Sequence, residues 1–182
     1  MLHAPAALLP PSRNAAYHVI GSGRLALDAA ARALEDAGYA ARVWRDDVTG
    51  DALTAAHDHA RLAADLQPGE ALLSGGETTV TVPAAAGRGG RNTTFLLALA
   101  LAAPPGLYAL AADTDGVDGT AGAAGAVLTP DTLARAAHLG LNAPAHLARG
   151  DAGGFFHALG DALLTGPTGT NVNDLRVLLR TP

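Results

Sequence analysis

No cysteine and no lysine occur among these 182 residues. The first absence excludes disulfides and thiolate metal sites. It suits a reducing compartment, so a cytoplasmic location is expected. The second leaves arginine to carry every strongly basic charge. With abundant alanine, glycine and proline, that skew reads as a coding bias rather than a functional signal. Aromatic residues are scarce at 4%, so a core must come from leucine and valine, with alanine letting helices approach closely. Net charge is −5 and no basic stripe runs along the chain, which argues against a nucleic-acid partner. The first eleven residues are apolar but lack a basic flank and contain three prolines. They suit neither a secretory signal nor a membrane span, and residues 1–16 read as a disordered leader.

What remains fits one domain of ordinary size, with strands and helices alternating. Residues 17–20, 41–44, 71–73, 78–82, 107–112, 124–128, 162–165 and 176–179 read as strands. Helical stripes run over 24–37, 51–66 and 92–102, the last almost wholly apolar, and shorter helices over 130–138, 144–148 and 155–159. Gly38 ends the first helix, Asp51 opens the second, and Thr129-Pro130 supplies a cap and first-turn pair. The fold class is α/β.

Four polar, glycine-laced stretches end these apolar runs: Ser74-Gly75-Gly76-Glu77, Gly87-Arg88-Gly89-Gly90-Arg91-Asn92, residues 113–119 and residues 165–174. Loops at strand ends are where α/β proteins bind ligands. Glycine-rich turns can wrap an anion with backbone N–H groups. The second stretch leads straight into the apolar helix, whose positive end would face the same ligand, and Arg88 and Arg91 add guanidinium forks. Ser74, Gly75, Gly76, Glu77 and Thr78 would line it, with Glu77 paired to one of the arginines or serving only a turn. Asp113, Asp115 and Asp118 would repel one another unless a cation or several N–H donors intervened. Asp113 and Asp115 are the candidate Mg²⁺ ligands and Asp118 a turn residue, with Asx-turns as the alternative. The spacing is no EF-hand, because Ala124 stands where a glutamate is needed. Thr168, Gly169, Thr170, Asn171 and Asn173 offer short polar groups for a phosphate or carboxylate, or for their own backbone.

A rival reading comes from Gly21-Ser22-Gly23-Arg24-Leu25-Ala26, a dinucleotide-type glycine pattern after a strand and before a helix, with Asp46 placed to meet a ribose. It would make the chain a nicotinamide-dependent reductase. The histidines read as surface or core residues, and none neighbours Ser74 in sequence to suggest a hydrolase triad.

The segments 73–82, 87–92, 111–120 and 165–176, in that order, resemble the MOFRL family, which includes glycerate 2-kinases, many once labelled hydroxypyruvate reductases. The resemblance runs from about Tyr17 to Leu179. It implies a three-layer α/β/α MOFRL-type domain over 69–182, preceded over 17–68 by the end of a Rossmann-like glycerate kinase unit. It implies ATP-dependent phosphorylation of D-glycerate to 2-phosphoglycerate with Mg²⁺, and Arg91 as the residue holding the substrate or the transferring phosphoryl group. Family members are more than twice as long, and this chain resembles their C-terminal part. A separate N-terminal kinase portion, or self-association through an uncovered apolar face, is therefore expected. The alternative is a non-catalytic acid- or phosphate-binding module. Thr93-Thr94 stand where relatives carry Gln-Glu.

Overall fold

Ser22 accepts a hydrogen bond from Leu25 N and opens helix α1 (Gly23–Asp36), satisfying an N–H group that a helix start leaves free. Asp51 does the same for α2 (Ala52–Asp65), accepting from Leu53 N and Thr54 N. Between them lies strand β1 (Ala40–Asp51). The chain continues as β2 (Glu70–Thr79), α3 (Arg91–Ala102), β3 (Tyr108–Asp113), β4 (Gly125–Leu128), α4 (Thr132–His138), α5 (Ala143–Ala148), α6 (Ala152–Leu159), β5 (Ala162–Leu163) and β6 (Asp174–Leu179). The computed structural model describes residue 16 and residues 18–83 and 86–182, so the expected leader lies outside the described residues except for Ala16.

The strands form one six-stranded sheet in the order β1-β2-β6-β3-β4-β5. β1 and β2 are parallel, linked through α2, and the other neighbours are antiparallel. The division expected near residue 68 thus falls inside a continuous sheet, with residues on both sides of it paired strand to strand. One face is covered by α2, α3, α5 and α6, whose apolar side chains join Leu72, Leu178, Ala109 and Leu128 in the main core. The other carries α1, where Leu27 packs against Gly75 beneath it. The result is a three-layer α/β/α arrangement, but the α1 layer is partial. On β3 and β6 the outward side chains Leu110, Val177 and Leu179 are only half-buried, and Tyr108 is exposed.

Three differences from the sequence reading matter. Residues 18–20 are irregular, with Ile20 almost fully exposed, so no strand precedes the Gly21 pattern there and Tyr17 lies outside the described residues. Without that strand the dinucleotide-type turn lacks the βα setting that gives it meaning. β1 runs well past Trp44, shifting register twice before Val48. Most consequentially, Ser74-Gly75-Gly76-Glu77 is no loop: β2 passes through it unbroken, paired with β1 and β6. Its backbone is occupied by the sheet, and glycine is needed for packing. Gly76 has φ +112°, and a Cβ there would collide with the Val48 backbone. A polar, glycine-rich stretch looks like a turn until neighbouring strands supply its hydrogen bonds.

Candidate active site

Because β2 and β3 end where β4 and β6 begin, the segments following Thr79 and Asp113 and preceding Gly125 and Asp174 meet at one sheet edge. Toward that edge, the face beneath α3 changes character rung by rung. Leu72, Leu178 and Ala109 form an apolar rung; Ser74, Arg176 and Ala111 follow; Gly76, Asp174 and Asp113 come last. Side-chain alternation thus places two carboxylates opposite each other, both nearly buried. Like charges in that position require cations.

Two arginines supply them. Arg176 is fully buried, with Nη2 donating to Asp174 Oδ2 at 2.6 Å and to Thr78 Oγ1 at 3.1 Å. Its guanidinium lies 5.2 Å from the Phe95 ring centroid, and burial lowers its pKa against the pull of Asp174. Arg91, the first residue of α3, donates from Nε to both Asp174 oxygens at 3.0 Å and from Nη2 to Asp113 Oδ2 at 2.5 Å. Burial works against the Arg91 charge, but Asp174, Asp113 and Glu77 outweigh it and leave the pKa raised. Asp113 is pushed up, chiefly by burial, with the Asp115 N–H and Arg91 pulling it back. Asn92 completes the set, its Nδ2 donating to Asp174 Oδ1 at 2.8 Å. Asp174 is therefore the hub of the cluster.

The start of α3 is also filled from within. Asp118 accepts from Asn92 N, Thr93 N and Thr93 Oγ1 at 2.8–2.9 Å, so a carboxylate of this chain occupies the place expected for a ligand phosphate. Burial raises its pKa while those donors oppose the rise. Gly90 makes room, since any Cβ there would overlap Asp118. An internal anion satisfies the helix end as well as an external one.

Beside this cluster opens a cavity of about 450 Å³, lined by Glu77, Thr78, the 79–83 segment, Gly87, Gly89, Gly90, Arg91, Thr94, Gly119 and Thr120 among others. Of the expected site residues, it gathers Glu77, Thr78, Gly89, Gly90 and Arg91. Thr78 is nearly buried and engaged by Arg176. Ser74 is buried, its hydroxyl 2.7 Å from His59 Nε2, and Gly75 and Gly76 are interior, so none of these three reaches the cavity. The absence of a histidine near Ser74 in sequence was misleading: α2 brings His59 to it. Trp44 and Phe95 pack edge-on against the His59 ring, whose Nδ1 meets Ala55 O, and both His59 and Ser74 are buried. Arg88 does not join Arg91. Its side chain donates to Ala121 O, and its backbone N–H to Asp151 Oδ1.

Thr168, Gly169, Thr170, Asn171 and Asn173 lie at the same edge but outside the cavity lining. Thr168 Oγ1 donates to Thr114 O at 2.5 Å, Val172 N to Thr114 Oγ1, and Asn173 N to Asn171 Oδ1. Arg91, Asp113 and Thr168 are thus joined through adjacent contacts, yet the loop's polar groups mainly serve backbone. Asp113 and Asp115 do not fit a two-carboxylate Mg²⁺ site. Asp113 spends Oδ2 on Arg91 and Oδ1 on Asp115 N, while Asp115 Oδ1 accepts from Val117 N. Among the described residues no group of three or more histidine and acidic side chains suits a metal ion. Nor is any described helix long and apolar enough to cross a membrane.

Sequence reasoning missed Asp174 and Arg176 as site members, although both lie in a quoted motif. Their signal was available: charged residues at alternate positions of an apolar strand face inward together. It also missed Thr94 and Thr120 as cavity-lining residues, although Thr94 stands beside the second stretch and Thr120 lies in a quoted segment.

The comparisons agree with this architecture. The crystal structure of glycerate kinase from Thermotoga maritima superimposes with a TM-score of 0.84 at 32% identity, covering 90% of this chain and 41% of that one. A Pyrococcus horikoshii structure gives 0.83 at 28% identity, covering 96% and 42%. In sequence, the glycerate 2-kinase of Pyrococcus horikoshii is 31% identical over 92% of this chain and 40% of its own length. An Agrobacterium vitis protein named provisionally as a hydroxypyruvate reductase is 43% identical over 88% and 39%. The chain thus spans about 40% of the length of these two curated relatives. The MOFRL family profile matches residues 70–174, more than half the chain and the whole stretch from β2 to the first residue of β6, and on that match the chain belongs to the MOFRL family.

Proposed function

We propose that this chain forms one wall of a glycerate kinase-type site, in which Arg91 meets the acid group of D-glycerate during ATP-dependent phosphorylation to 2-phosphoglycerate. One observation carries the reading. Arg91 is held by Asp174 and Asp113 on two edges while its side chain stays partly exposed in the cavity. A guanidinium fixed in advance binds an anion with less loss of side-chain freedom than a free one. Phosphoryl transfer depends mainly on such positioning and charge stabilisation. The names of the relatives supply the substrate and the reaction. ATP comes to this reading through the family alone, and no step is assigned to Mg²⁺ because Asp113 and Asp115 are engaged elsewhere.

Acid binding is the component this wall would supply by itself. The remaining wall would come from a further kinase portion of the kind the longer relatives have room for, and the setting would be the cytoplasm. Calorimetric titration of the purified chain with D-glycerate tests the reading. Saturable binding, lost in Arg91→Ala and retained in part by Arg91→Lys, is the expected result. Equal binding by all three proteins would end it.

A further inference from the structure

Arg91 offers the cavity little beyond Nη1, since Nε belongs to Asp174 and Nη2 to Asp113. Glu77 Oε1 stands 3.4 Å from that nitrogen, longer than a good charge-assisted hydrogen bond. The Glu77 side chain is 57% exposed and the Arg91 side chain 22%, so ligand can reach both. Among the described lining residues Glu77 is the one acid and Arg91 the one base. The open edge of the arginine therefore carries an adjoining carboxylate.

That pairing discriminates. A plain anion approaching Nη1 also approaches Glu77 and is repelled, while Asp113 and Asp174 already take up the other edges of the arginine. An acid with a hydroxyl beside its carboxylate has a remedy. Its carboxylate accepts from Arg91 while its hydroxyl donates to Glu77. The neighbouring hydroxyls of this strand segment are otherwise engaged: Ser74 is buried against His59, Thr78 against Arg176, and Thr79 Oγ1 donates to Gly50 O.

We propose that Glu77 is a specificity-determining residue, selecting hydroxy acids over simple carboxylates and over free phosphate at the Arg91 edge. The proposal rests on the acid-binding reading above and adds a discriminating role for Glu77.

The experiment titrates wild type and Glu77→Gln with D-glycerate, propionate and inorganic phosphate by calorimetry, with thermal melts to check folding. Wild type should bind D-glycerate about tenfold or more tighter than propionate. Glu77→Gln should shrink that ratio to about twofold, mainly by tightening propionate and phosphate, because the repelling charge has gone. An unchanged ratio, with D-glycerate still bound, overturns the role of Glu77 and leaves the acid-binding reading standing. Failure of wild type to bind D-glycerate overturns both. A second variant, Glu77→Ala, guards against a new contact from the glutamine and should also lose the preference.

Discussion

Two polar assemblies meet at the same sheet edge and are held in opposite ways. Beneath α3, Arg91, Asn92, Asp113, Asp174 and Arg176 bind one another through side chains, mostly out of solvent. In the loop before β6, Thr168, Asn171 and Asn173 are exposed and largely satisfy nearby main chain. The first is an interlocked lattice of charges, each member making its neighbour tolerable. The second is a series of local, nearly independent contacts. Burial makes the difference, since an unpaired charge can turn to water only in the outer loop.

The sharpest way to break this contrast is Asp174→Ala, which removes the shared partner of Arg91 and of fully buried Arg176. We expect a loss of about 3–5 kcal/mol in denaturant unfolding. A loss below about 1 kcal/mol would mean that the lattice is no more interdependent than the outer loop.

His59 tests the interior with pH. Burial pushes its imidazole down to about 4 from the ordinary 6.5. Between those values the unfolded chain binds a proton that the folded one refuses, so stability falls as pH drops from 6.5 toward 4. The full effect is on the order of 3 kcal/mol. Asp113 and Asp118, both raised by burial, act with the opposite sign: their contribution is present at low pH and lost as pH rises through their folded values. The His59→Gln variant isolates the imidazole, and its unfolding free energy should depend less on pH across this interval than that of wild type. Parallel pH profiles would remove His59 from the account.

Thr168→Ala should do least. Losing the hydroxyl contact to Thr114 O costs about 0.5–1.5 kcal/mol by melting, with D-glycerate affinity unchanged within about twofold. A larger loss would place the loop inside the lattice.

Much of the architecture was legible from local signals. The helical stripes from Leu25, Leu53 and Phe95 correspond to α1, α2 and α3, and the apolar runs near Leu107, Ala124 and Arg176 to β3, β4 and β6. Residues 74–77 were not, because backbone hydrogen bonding to β1 and β6 is invisible in a single sequence. Glu77, expected either to pair with Arg88 or Arg91 or to serve only a turn, lies beside Arg91, and the anion at the helix start was taken for a ligand when it was Asp118. Arg88 and Arg91 look alike in sequence and diverge in space, since Arg91 begins a helix over two carboxylates while Arg88 is tied to Ala121.

By itself the sequence determined that strands and helices alternate, that the core is aliphatic, and that polar segments cluster between the elements. Those properties follow from side-chain periodicity, composition and turn chemistry, all local. Tertiary structure alone decided which charges neutralise one another, which hydroxyls are enclosed, and which edge of one arginine remains free. Asp113 and Asp174 lie far apart along the chain and become opposed only when β3 and β6 pair, and Arg91 reaches both only because α3 begins above them. Pair energies depend on distance and burial, and neither exists until the chain has folded.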